Sequence, residues 1–193
     1  MSRWGVDGPP ADAYARVTDP GRFAALHGIA RRVLDRLETR YDVTRQSFTE
    51  TDRHASAPAP AIRLVPADPA AAPLSIVFNA FPGLLVRCGQ QHGYGIPVPH
   101  CGCDSCDESV VDCREELARL IDTTTAGTFG ERLVYADGGW WLEVWHGTPT
   151  STGGGRTRLD GKQLGVLRKA IPDGELGWAP WPERSSPGRR GAH

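Results

Sequence analysis

Long hydrophobic runs are missing from this sequence. No stretch approaches the roughly 18 consecutive apolar residues that cross a bilayer, so no membrane span is expected. The opening residues, Met1 to Pro10, carry no apolar core of the signal-peptide kind, which makes a cytoplasmic location the expectation. A charge excess of one sign is missing too. The formal net charge is -1, so no overall field draws the chain to nucleic acid or to anionic lipid, and neither is expected as a partner. Lysine is almost absent: Lys162 and Lys169 are the only two, and the remaining basic charge is arginine. With abundant Ala, Gly and Pro, that skew reads as GC-rich coding rather than as function.

Several catalytic signatures are absent as well. Gly153-Gly154-Gly155-Arg156 lacks the Gly-Lys-Ser/Thr ending of a P-loop and reads as a flexible linker within a loop over 147–158. No nucleophile elbow or Ser-His-Asp order is recognisable, and the chain contains no internal repeat. A zinc deaminase needs H-x-E upstream of P-C-x-x-C. The sequence offers His92-Gly93-Tyr94 and no proline before Cys103, so that chemistry is excluded.

What is present is a concentration of thiols. Three of the five cysteines fall within Cys101-Gly102-Cys103-Asp104-Ser105-Cys106. One short turn does not bury three side chains in three unrelated places, so packing is a poor explanation. In a reducing compartment such a cluster reads first as metal-binding or catalytic. Cys103-x-x-Cys106 is a knuckle of the kind that holds Zn²⁺ in tetrahedral sulfur sites, and Cys101 adds a third thiolate. Asp104, Asp107 and Glu108 are expected to favour cation capture. The fourth ligand is left open between His92, Cys113, His100 and water, although Cys113 reads more strongly as core. The same residues can be read as a redox pair at a helix start, where a thiol pKa is lowered. The crowding carboxylates oppose that, and the βαβ opening of a thioredoxin-like domain is lacking.

Periodicity outlines the rest. Phe23, Leu26, Ala30, Val33, Leu37 and Tyr41 predict a helix over 19–41, with Asp19 as N-cap and Pro20 in its first turn. Arg32, Arg36 and Arg40 line another face, read as solvated. Strands are predicted at 44–51, 62–65, 74–78 and 84–88, with Cys88 as a core thiol. A second helix is predicted over 106–122, its stripe Val110, Cys113, Leu117, Leu120 and Ile121, with Ser105 and Glu108 as a capping box. Asp137-Gly138 marks a hairpin between 133–136 and 140–145, and a last short helix spans 160–171. Trp140, Trp141, Trp145, Trp178 and Trp181 form an aromatic group, read as core in preference to a ligand platform. The pattern predicts an α+β fold: a single domain over 1–182, an antiparallel sheet with two or three helices packed on one face, and a disordered tail over 183–193.

The run Cys101 to Glu108, with Phe81-Pro82-Gly83-Leu84 before it and Trp178-Ala179-Pro180-Trp181-Pro182 after it, resembles an actinobacterial family of unknown function with a CGCDACDE-type motif. The resemblance covers roughly 1–184, with Ser105 in place of the motif's alanine. It implies a bacterial protein and no established activity. Together these readings lead to a binding or interaction module with a structural zinc turn at Cys101, Cys103 and Cys106 that meets a protein partner. The alternative is a metal- or thiol-dependent enzyme using the same cluster.

Overall fold

Alternating apolar residues build two antiparallel sheets, and the three helices fill the space around them. The computed structural model describes residues 4–6, 8–50, 58–90, 95–147 and 153–185. The first sheet takes its strands in chain order: β1 (Val43–Glu50), β2 (Ala59–Pro66), β3 (Leu74–Phe78), β4 (Leu84–Cys88) and β5 (Ile96–Val98). The second runs β8 (Gly153–Arg158), β7 (Gly139–His146), β6 (Phe129–Ala136) and β9 (Glu175–Gly177). The helices are α1 (Ala25–Arg40), α2 (Val110–Thr125) and α3 (Gly161–Ala170). The α+β class expected from the sequence holds, with the strands divided between two sheets.

Helix α1 buries Leu26, Ala30, Leu34 and Leu37, and α2 buries Cys113, Leu117, Leu120 and Ile121. Both stripes pack on the face of the first sheet that carries Leu64, Ile76, Val86 and Cys88. Phe129, Trp178 and Trp181 complete this core. A smaller cluster, Leu142, Leu159, Leu167 and Ile171, seats α3 against the second sheet, and Val144 touches both clusters. A segment after β9 ties the layers together. Ala179 N–H donates to Ala70 O at 2.8 Å, Trp181 N–H to Thr125 O at 2.9 Å, and Trp181 Nε1–H to Ala72 O at 2.8 Å.

Four local expectations are corrected. Asp19 makes no side-chain cap; Pro20 opens a short 3-10 turn over Pro20–Phe23, and α1 begins at Ala25. Strand β2 starts at Ala59, ahead of the strand predicted over 62–65. The glycine run at 153–155 is no linker but edge strand β8, paired with β7 from His146↔Gly153 to Trp141↔Arg158. Helix α2 starts at Val110, four residues later than 106. Glu183 and Arg184, assigned to the tail, meet α1: Arg184 N–H donates to Arg40 O at 2.8 Å, and Glu183 accepts from the Arg40 guanidinium. Residues 186–193 lie outside the described residues. Among the described residues, no helix is long and apolar enough to cross a membrane.

Candidate metal centre

The cysteine turn joins β5 to α2, and a carboxylate closes it from within. Glu108 accepts from the backbone N–H of His100 at 3.0 Å and of Cys101 at 2.8 Å. That commitment removes it from the expected capping box. Ser109 and Asp112, the next pair at the same spacing, form the box instead: Asp112 N–H donates to Ser109 Oγ at 3.2 Å and Ser109 N–H to Asp112 Oδ2 at 2.9 Å. Cys103 and Cys106 therefore lie in a turn ahead of the helix and not in its first turn.

The turn is also fastened to the segment before α1. Asp104 is fully buried, accepting from Thr18 N–H at 2.9 Å, from Thr18 Oγ1–H, and from Arg16 Nε–H at 2.8 Å. Arg22 Nη1 stands 3.9 Å from its other oxygen, while Arg22 Nη2 donates to Gly102 O at 3.2 Å. The Thr18 hydrogen bonds, then the one from Arg16, hold the Asp104 carboxyl well below the usual carboxylate range. Two backbone bonds add to the joint, Asp104 N–H to Arg16 O at 2.8 Å and Ser105 N–H to Ala13 O at 3.1 Å. Gly102 lies under the Phe81 ring, where a Cβ would stand 2.6 Å from Phe81 Cζ. The expectation that Asp104 and Glu108 serve cation capture is thus corrected for both, because each is spent on protein donors.

The sulfurs of Cys101, Cys103 and Cys106 all lie within 4.8 Å of one another. Cys101 Sγ is 3.1 Å from Cys103 Sγ, well beyond a disulfide bond, and all five cysteines are free thiols. Two thiolates on one tetrahedral zinc, each at about 2.3 Å, sit about 3.8 Å apart, within the spread found here. The protons are unevenly held. A hydrogen bond from the Cys101 thiol, then the Cys106 N–H, lowers the Cys103 pKa from its ordinary 9.0. Cys106 is pushed up to about 12, chiefly by its hydrogen bond to Cys103. The Cys103 proton is held less tightly than that of a free thiol and the Cys106 proton more tightly, a resistance that a divalent cation removes.

This distribution weakens the thiol-enzyme reading. A nucleophilic cysteine needs exposure and a low pKa together. Here the low-pKa sulfur, Cys103, is buried, and the exposed one, Cys106, is the one pushed up.

The candidates for a fourth ligand separate as follows. His92 lies outside the described residues. Cys113 is sealed in the core of α2, where burial pushes its thiol up to about 11. His100 faces away, its ring 56% exposed and its Nε2 3.5 Å from Glu116 Oε1. Among the described residues, the three cysteines are the one group of His, Cys, Asp or Glu close enough to share a cation. Cys88 is a core thiol as expected, pushed up to about 12 by burial. The tryptophans are mostly structural: Trp145, Trp178 and Trp181 are buried, and the Arg156 guanidinium covers Trp141 at 4.0 Å.

Sequence reasoning missed Arg16, Thr18 and Arg22, the partners of Asp104 and Gly102. They lie 80 to 88 residues away along the chain, and no local pattern marks them.

A two-sheet α+β domain whose turn gathers three thiols into one cation-sized space is the class that fold and site define. The chain belongs to the family of unknown function DUF6226, which it matches over residues 1–185. No curated protein and no solved structure matches it significantly.

Proposed function

We propose that this protein binds one zinc ion through Cys101, Cys103 and Cys106, and that the ion locks the turn joining β5 to α2. The supporting observation is the convergence of three free thiols within 4.8 Å of one another. The surroundings support the same reading. Three thiolates on a divalent cation leave a net charge of about -1, and Arg22 donates to the carbonyl between two of them. Asp104 and Glu108 are occupied by protein donors, which suits a site that holds its own shape. Position four is filled by water or by a group supplied from outside the described residues. With Cys106 exposed and the half-exposed Phe81 ring over Gly102, the locked turn is suited to meeting a protein partner. In this reading the protein is an interaction module, and its zinc is structural.

Elemental analysis with a thiol count, on the full chain purified under reducing conditions, tests it. About one zinc per chain is expected, with the three clustered thiols reacting only after chelation. Cys103→Ser is expected to lose the metal and Cys88→Ser to keep it. Metal-free protein whose clustered thiols all react at once, with unchanged melting in Cys103→Ser, overturns the proposal.

A further inference from the structure

A cavity of about 380 Å³ lies between the inner face of the second sheet, α2 and the start of β5. That volume falls in the range of small-molecule sites. Its lining combines an apolar wall with a few converging polar groups. Ile96, Leu142 and Val144 supply the wall, and Glu116, Arg119, His100 and His146 the polar groups.

Arg119 and His146 are the donors among them. Glu116 grips Arg119 along one edge, with Nε–H to Oε2 at 2.8 Å and Nη2–H to Oε1 at 2.6 Å. A guanidinium has five N–H donors in a fixed fork, so the opposite edge remains for a second acceptor. His146 is 9% exposed, and its Nδ1 is sealed from solvent without a partner among the described residues. An orphaned buried N–H is rarer than an under-used acceptor, so the ring's proton belongs on Nε2. With Nδ1 sealed, Nε2–H is the polar group this lining ring can offer to a ligand. Burial, then the nearby Arg119 charge, lowers the His146 pKa and keeps the ring neutral.

The mouth is kept open by composition. Gly155 stands opposite Val144, so the two share the inner face of the sheet. A Cβ built on Gly155 would meet nothing within 4 Å. Gly154 differs, because a Cβ there would collide with Val144 O. Sterics thus require glycine at 154, whereas at 155 the missing side chain only leaves space.

We propose that this cavity binds a small carboxylic acid, its carboxylate taken by the free edge of Arg119 and by His146 Nε2–H and its apolar body lying on Ile96, Leu142 and Val144. The site stands apart from the zinc turn in its ligand and its residues, although His100, on its rim, precedes Cys101.

Calorimetric titration of the full chain with hexanoate and benzoate, against hexanamide and benzamide, tests this. Saturable binding of at least one acid is expected at one site per chain, about tenfold or more tighter than its amide. Arg119→Gln is expected to weaken it about tenfold or more. Gly155→Phe, placed where a side chain has room, is expected to abolish it while far-UV circular dichroism and zinc content stay as in the wild type. Absence of binding by both acids overturns the proposal, as does an amide binding as tightly as its acid. Binding that persists unchanged in a folded Gly155→Phe protein overturns it as well.

Discussion

Replacing Glu131 by glutamine removes a fully buried carboxyl from titration. Its side chain is fully buried on β6, and Oε2 accepts from Gln90 N–H at 2.9 Å and from Trp178 Nε1–H at 3.0 Å. Oε1 is buried without a partner among the described residues. Burial outweighs those two hydrogen bonds and raises the pKa from its ordinary 4.5 to about 7. The nearby Cys88 thiol is neutral, pushed up to about 12. A carboxyl raised in the folded state binds more protons folded than unfolded between those two values. Its contribution is therefore most favourable below pH 4.5 and is lost as pH rises through about 7. At about 1.4 kcal/mol per pH unit, the full loss is about 3 kcal/mol, of which roughly 2.5 falls between pH 5 and 8. His146, held below its ordinary 6.5, pulls the opposite way across this window, so the number is carried by the difference between proteins. Urea unfolding of wild type and Glu131→Gln at pH 5 and 8 measures it. The stability difference is expected to move by roughly 2.5 kcal/mol in favour of the variant at the higher pH. Curves separated by the same offset at both values refute the reasoning.

Two further outcomes follow from the joints of the fold. Gly127 follows α2 with φ +64, and a Cβ there would lie 2.5 Å from Ala179 C and Pro180 N. Gly127→Ala is expected to cost about 3 kcal/mol or more in denaturant unfolding, and a cost under about 1 kcal/mol contradicts the close approach. Asp104→Asn keeps the shape of the buried anchor but removes the charge that Arg16 and Arg22 face. It is expected to hasten tryptic cleavage after Arg16 and to weaken any metal binding by the cysteine turn; cleavage at the wild-type rate speaks against the anchoring role.

How much of this was legible depended on the range of the determining contact. Strands β3 and β4 were read to the residue, because period-2 apolar patterns and the turn between them are local. Strand β8 was hidden because its glycines carry no β pattern; pairing with β7 defines it. Two consecutive capping signatures stand at the start of α2, and the choice between them is made by Glu108 bonding to His100 and Cys101, which spacing alone does not reveal. The cysteine cluster was plain because its chemistry is concentrated in six residues. Its anchor was not, since Asp104 reads as a surface acid until Arg16 and Thr18 arrive from the other end of the chain. The cavity draws on three separate parts of the fold, and its glycine mouth was taken for a linker.

The segment that ties the layers has a consequence for synthesis. Trp178 and Trp181 bond to groups on β6 and on the loop before β3, yet both emerge from the ribosome after nearly everything they hold. While they are still in the exit tunnel, the first sheet, α1 and α2 can collapse on one another, but the groove these indoles fill stays open. The nascent chain must wait with an apolar seam exposed until two tryptophans arrive to close it.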